Sequence, residues 1–325
     1  MLTVYDAIDG GLVVRERSGA DAVGDATVWI DLFNPSREED HLLEAALGVS
    51  IPTREEMAEI EASSRLYQEG GAHFMTAILL HQKEAEFPTA SPVTFIVAGN
   101  RLVTVRYIEP RAFPLFLAKA QKKDARCMSG MAVLVGLMES IIDREADRVE
   151  RVQGEVDNLA HLIFDSKAGD RTRSRRFDVM IKTVGREGGL TSRSRESLLS
   201  LHRVLTYLSH AMAERGDEKA LRSRIKTADR DVQSLTDHIG YLSSKITFLL
   251  DALLGMINNE QNTIIKIFSV LAVALMPPTL VGTIYGMNFH HMPELDWLWG
   301  YPWALALMVV SAIIPWIYFK RKGWL

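Results

Sequence analysis

Two long apolar runs dominate the hydropathy pattern, both in the last sixty or so residues: about Thr263 to Tyr285, and about Gly300 to Phe319. At roughly 1.5 Å per helical residue each extends about 30–35 Å, the thickness of a hydrocarbon core. The short polar segment between them predicts a helical hairpin. Upstream the pattern changes twice. Leu2–Tyr5, Leu12–Val14, Val28–Leu32, Phe74–Leu80, Val93–Val97 and Leu102–Val105 read as strands, with Gly99-Asn100 as a hairpin turn. Asn34-Pro35-Ser36, followed by Arg37-Glu38-Glu39-Asp40, is a helix start with acids in its first turn. From about Arg111 the chain reads as helical. A long amphipathic helix is predicted from about Met131 to Phe164, with Leu134, Leu137, Ile141, Ile142, Ala146 and Val149 on its apolar face. A loop around Ala168-Gly169-Asp170 follows, then a helix from about Ser192 to Glu214, breaking near Gly216. No strong breaker follows from Asp217 until Pro277, since Gly240 and Gly255 are tolerable single glycines. A helix continuous over that span approaches about 100 Å and must bundle with neighbours or with copies of itself.

The resulting organisation is an α+β module over residues 1–125, a helical region over 126–262 and a transmembrane hairpin with a basic tail over 263–325. Within the hairpin the spans are about 263–285 and 300–319, and the outer loop is 286–299. Charge orients it. Lys320-Arg321-Lys322 follows the second span, whereas Asn288 to Trp299 holds no Lys or Arg. The positive-inside bias puts both termini in the cytoplasm and Asn288 outside. Trp297, Trp299, Tyr301 and Trp303 mark the outer interface, and Trp316, Tyr318 and Trp324 the inner one. The N-terminus has no basic-then-apolar signal, so the hairpin is expected to drive insertion.

Net charge is −4, too modest to imply a nucleic-acid partner. The single Cys127 excludes an intrachain disulfide framework and reads as a small buried residue. Residues 1–260 contain no nucleophile elbow, phosphate loop or paired-Cys metal spacing, which argues against an enzyme. The stretch 167–203 carries ten Lys or Arg against four acids. It reads as a solvated helical face, or as a contact for anionic lipid or an acidic neighbour.

Asn262, Ser269, Met276, Thr279 and Thr283 fall on or near one stripe of the first span, with Ile265, Phe268 and Ala272 between them. Taken singly, such Ser and Thr residues bond across helices. As a stripe ending at Asn288 they read as a pore wall, where amide and hydroxyl oxygens meet the water shell of an ion and apolar rings close by dewetting. Pro277-Pro278 deprives the carbonyls of Val273 and Ala274 of their usual donors. Hydrocarbon tolerates that where water or a neighbouring helix satisfies them.

Tyr285-Gly286-Met287-Asn288-Phe289 with Met292-Pro293-Glu294-Leu295 resembles the signature of the CorA family of divalent-cation channels. The likeness extends through Lys266–Val270, Pro277–Val281 and Tyr318–Leu325. Its pattern is nearest the enteric type, at Trp29–Leu32 and Glu59–Ser63. The resemblance implies a homopentameric, funnel-shaped channel in the cell (inner) membrane, embedded in membrane lipid. Five copies of the first span line its pore, and the ring of Gly286, Met287 and Asn288 meets hydrated Mg²⁺ at the outer entrance. An amide suits that role, because Mg²⁺ dehydrates reluctantly and a neutral oxygen holds the hexahydrate weakly enough to release it. Gly286 permits a turn that a side chain would crowd.

The resemblance also implies regulatory Mg²⁺ between subunits, holding the pore closed until cytoplasmic Mg²⁺ falls. Asp231, with Asp229 and Asp237 nearby, is the matching region; these also read as ordinary solvent-facing acids. His290-His291 departs from relatives and either favours softer ions such as Co²⁺, Ni²⁺ or Zn²⁺ or is simply exposed. The basic middle helices depart as well, since relatives tend to be acidic there. The expected activity is Mg²⁺ uptake, with Co²⁺ and Ni²⁺ as further ions; the alternative is proton-coupled zinc transport of the ZntB branch.

Overall fold

The β-branched runs near the N-terminus pair into one seven-stranded sheet. The structure, a computed structural model, describes all residues except 16–22, 60, 82–86, 123–124, 165–172, 216–218, 289, 291, 294–295 and 325. In chain order the elements begin with β1 (Leu2–Ile8), β2 (Gly11–Arg15) and β3 (Thr27–Phe33), then α1 (Arg37–Leu47), α2 (Arg54–Met57) and α3 (Ala62–Arg65). The strands β4 (Leu66–Glu69), β5 (Ala72–His81), β6 (Thr89–Ala98) and β7 (Arg101–Arg106) follow. The helices α4 (Ala112–Ala120), α5 (Gly130–Phe164), α6 (Arg173–Arg215), α7 (Lys219–Tyr285) and α8 (Gly300–Arg321) complete the chain.

The strand order is β2-β1-β3-β7-β6-β5-β4. Only β3 and β7 run parallel, with Asp31 opposite Thr104; the other pairs are antiparallel. Both faces are covered, which is why β3 and β5 are buried almost continuously and do not alternate. Ile30, Leu32, Phe74, Ile96, Val103 and Val105 form one core with Leu43 of α1 and Met57 of α2. On the other face Trp29 stacks on Tyr5 at 4.2 Å and meets Phe113 and Phe116 of α4. A polar network crosses that face. Arg106 donates to both oxygens of Asp31 at 2.8–3.1 Å, Thr104 donates to Asp31 Oδ1 at 2.7 Å, and Trp29 Nε1 donates to Thr104 Oγ1 at 3.0 Å.

The helix start at Ser36 is a capping box: its hydroxyl accepts from the Glu39 N–H and its own N–H donates to Glu39 Oε2. On α5 the expected apolar positions are buried except Ala146, which is half-buried, and Glu145 takes a fully buried place between Ile141 and Val149. Arg148 is hydrogen-bonded to Glu145, and burial still pushes that carboxyl above its usual range. The helix expected from Ser192 begins nearly twenty residues earlier, at Arg173. The loop at 168–170 and the break at Gly216 lie outside the described residues.

Contacts divide the chain into two compact units, Met1–Ala168 with Val179–Leu249, and Gly169–Asp178 with Leu250–Leu325. In the first, three polar links join α5 to α7. Arg224 makes a two-pronged pair with Glu139 at 2.8 and 2.7 Å, His238 Nε2 meets Gln153 Oε1 at 3.0 Å, and Lys245 meets Asp157 at 2.5 Å. The two helices therefore run in the same direction at nearly constant register. In the second unit, α7 and α8 are the two helices among the described residues long and apolar enough to cross a membrane.

Candidate functional site

Every candidate pore residue lies on α7. Asn262, Ile265, Phe268, Ala272, Met276, Thr279 and Thr283 are exposed, and Ser269 is half-buried. At about 100° per residue the eight fall within an arc of about 120°. The residues of the same segment that lose solvent are Val270, Ala274, Pro277, Pro278, Val281, Gly282 and Tyr285. They occupy the opposite side, where a Cβ on Gly282 would touch Met308 of α8 at 3.4 Å. The stripe is thus the face of α7 turned away from α8. Thr279 and Thr283 donate to the carbonyls of Leu275 and Thr279 at 2.8 Å, which spends each hydroxyl hydrogen within the helix and leaves lone pairs outward.

The helix holds through Pro277-Pro278 and ends at Tyr285. Gly286 donates to Gly282 O at 3.0 Å and Met287 to Ile284 O at 3.2 Å, tightening the last turn. A Cβ on Gly286 would meet Gly282 O at 3.1 Å, so the constraint there is close backbone approach, not a positive φ. Asn288 follows outside the helix, exposed, and its side-chain amide makes no hydrogen bond among the described residues. His290 is exposed; Phe289, His291, Glu294 and Leu295 are outside the described residues.

The three acids of α7 are not equivalent. Asp229 is half-buried, with one oxygen 2.7 Å from His202 Nδ1 and the other accepting from Gln233 Nε2 at 3.2 Å. Asp231 and Asp237 are exposed, without such partners among the described residues. Successive turns of about 200° and about 240° separate the three, so they share no face. No group of three His, Cys, Asp or Glu that could hold a metal forms among the described residues of one chain. Part of the basic stretch is committed internally: Arg186 pairs with Glu187, and Arg193 bonds the Pro88 carbonyl and covers Phe87. Cys127 is buried, and burial raises its thiol pKa, which disfavours the reactive thiolate.

The links between α5 and α7 were not foreseen from the sequence, because their partners lie 85 to 88 residues apart. Their hydrogen bonds raise the pKa of Arg224 and of Lys245.

The family model of the CorA-like Mg2+ transporter protein matches residues 24–321. The chain belongs to that family. CorA-like proteins are transporters, not enzymes. The chain is 34% identical over 319 residues to a magnesium transport protein CorA of Pasteurella multocida, covering 98% of each. It is 34% identical over 298 residues to one of Escherichia coli, covering 92% of each. The complete structure of the CorA magnesium transporter from Methanocaldococcus jannaschii superposes with TM-score 0.77 at 20% identity, covering 100% of this chain and 99% of that one. The CorA fold therefore extends over the whole chain: an α+β module, long helices and two C-terminal apolar helices.

Proposed function

We propose that the chain forms a homopentameric channel that takes up Mg²⁺, and to a lesser degree Co²⁺ and Ni²⁺, across the cell membrane. The observation that carries this reading is the Asn288 amide, exposed and unengaged among the described residues just past the end of α7, whose Asn, Ser and Thr stripe faces away from α8. An ion that keeps its first water shell is recognised best by neutral oxygens that accept from those waters. Five such amides around an axis discriminate by the size of the hydrated ion, and their lack of charge keeps release fast. Below them the Thr283 and Thr279 oxygens continue a hydrophilic wall, and Met276 and Phe268 supply apolar rings able to exclude water when the pore narrows. The two carbonyls freed by Pro277 and Pro278 add acceptors in an otherwise apolar span.

The loop free of Lys and Arg and the basic end of α8 support an outward-facing Asn288 and cytoplasmic termini. Residues 1–125 and 126–262 then form the cytoplasmic body and 263–325 the hairpin. Asp231 and Asp237 offer a regulatory Mg²⁺ shared with a neighbouring copy two exposed carboxylates without partners among the described residues, whereas both oxygens of Asp229 are engaged. Bound ion would bridge copies, and its loss at low cytoplasmic Mg²⁺ would shift the population toward an open pore.

The test is uptake by the purified protein in liposomes under controlled voltage and pH, with Mg²⁺, Co²⁺, Ni²⁺ and Zn²⁺ in turn. Voltage-driven Mg²⁺ entry that falls at least tenfold in Asn288→Ala is expected. Unchanged entry in that variant would sink the selectivity role, and Zn²⁺ entry accelerated by an inward proton gradient would favour the zinc-transport alternative. Chemical cross-linking in detergent should stop at five copies.

A further inference from the structure

The end of α8 is built into a basic shelf. Gly323 takes φ 71°, its N–H donates to Lys320 O at 3.2 Å, and the Trp324 N–H donates to Phe319 O at 3.1 Å. This is the Schellman termination, in which a left-handed residue reverses the chain. The reversal stacks Trp324 on Phe319, 5.1 Å between ring centres, and sets its ring 5.9 Å from Lys266 Nζ of α7. Lys320 Nζ stands over Trp316 at 4.8 Å and Lys322 Nζ over Tyr318 at 5.4 Å. Lys266, Lys320, Arg321 and Lys322 are all exposed, and none makes an ion pair among the described residues. The carbonyl end of α8 carries only about half a negative charge, far less than the cations around it. Aromatic faces attract cations without neutralising them. Among the described residues the cluster has no anion to pair with.

We infer that this shelf binds the phosphate group of an acidic phospholipid, held by Lys266 from α7 together with Lys320, Arg321 and Lys322 from the end of α8. The shared chemistry is a phosphate oxyanion, and the surroundings select a lipid over a soluble phosphate. Trp316, Tyr318 and Trp324 present exposed rings at the level of the cations, and Ile314 and Ile317 lie exposed within two turns of them. Acyl chains have a surface to lie on; a free phosphate would leave it bare. A lipid so placed ties α7, which bears the proposed pore stripe, to α8 through its headgroup. The inference rests on reading α7 and α8 as membrane-spanning.

The test uses the full-length protein. Flotation with phosphatidylcholine liposomes checks the membrane reading by itself; failure to float would overturn that reading. Native mass spectrometry from neutral detergent then compares retention of phosphatidylglycerol with phosphatidylcholine. We expect phosphatidylglycerol to be retained at least tenfold more, and Lys266→Gln and Lys322→Gln each to lower its retention about fivefold. Lys322→Arg should behave as the parent, and each variant must float equally, so that lost retention is not lost fold. Equal retention of the two lipids, or no change in either Gln variant, overturns the site while leaving the membrane reading intact. Displacement of phosphatidylglycerol by millimolar inorganic phosphate assigns the cations to a soluble anion and overturns the lipid.

Discussion

In the unit made of Met1–Ala168 and Val179–Leu249, most large apolar side chains of β3, β5, β6, β7 and α5 are buried within one chain, Leu162 and Phe164 at the end of α5 being exposed. Its interior charges are answered there too, Asp31 by Arg106 and Glu145 by Arg148. In the unit made of Gly169–Asp178 and Leu250–Leu325 the balance is inverted. Ile265, Phe268, Met276 and Leu280 of α7, and Val309, Val310 and Ile314 of α8, stand exposed. Soluble monomers rarely leave contiguous apolar surface of that kind bare. The first unit completes its own burial; the second delegates it to a bilayer and, in the proposed assembly, to copies of itself. One hydrophobic effect thus acts in two solvents along one chain.

The sharpest way to break this comparison is to separate the units. A chain ending at Leu249 should stay in aqueous solution without detergent and unfold cooperatively, whereas the full chain should sediment with membranes. A truncated chain that needs detergent would show that the first unit is not self-sufficient. A smaller effect tests the interior charges by urea unfolding of the same segment. Asp31→Ala strands the Arg106 guanidinium among Phe33 and Phe113 and should cost about 3–5 kcal/mol. Asp231→Ala, on an exposed face, should change stability by less than about 0.5 kcal/mol. Equal losses would mean that burial is not what separates the two sites.

The smallest effect is a titration. Burial, with Asp31 second, pushes the Tyr5 phenol up from 10.0 to about 12. The folded state favours its neutral form, so its contribution to stability is intact below pH 10 and is lost as pH rises toward 12. Phenolate absorbance of the segment should show one tyrosine ionising late, and Asp31→Ala should bring that ionisation earlier. Ionisation of Tyr5 alongside exposed tyrosines would contradict its burial.

Much of this division is legible in the amino-acid order. Runs such as Val28–Leu32 and Val93–Val97 declare strands through β-branched and aromatic residues, and the apolar runs after Thr263 declare themselves by length. The short edge strand Leu66–Glu69 escapes notice because it is four residues long, pairs on one side only, and holds just two apolar positions, Leu66 and Tyr67. The first half of α6 is hard to see because it is strongly basic and carries Gly185, Gly188 and Gly189, which weaken a helical pattern, yet the helix passes through them with Gly189 against Phe87. Glu145 keeps the helical spacing of Ile141 and Val149 but is polar, so an apolar pattern passes over it; its partner Arg148 is what makes the position tenable. At the site, Asn288 is found through its flanking motif. That His202 occupies Asp229 is not readable, since nothing local links residues 27 apart on different helices.

The three links between α5 and α7 have one further consequence. Moving α7 along α5 by a single residue means a shift of about 1.5 Å and a rotation of about 100°. Glu139, Gln153 and Asp157 would then lose Arg224, His238 and Lys245 together, not one after another. A one-residue step is therefore opposed by all three links at once. A displacement that does occur must release the pair at one stroke, which makes this part of α7 a shaft with a detent and not a sliding rod.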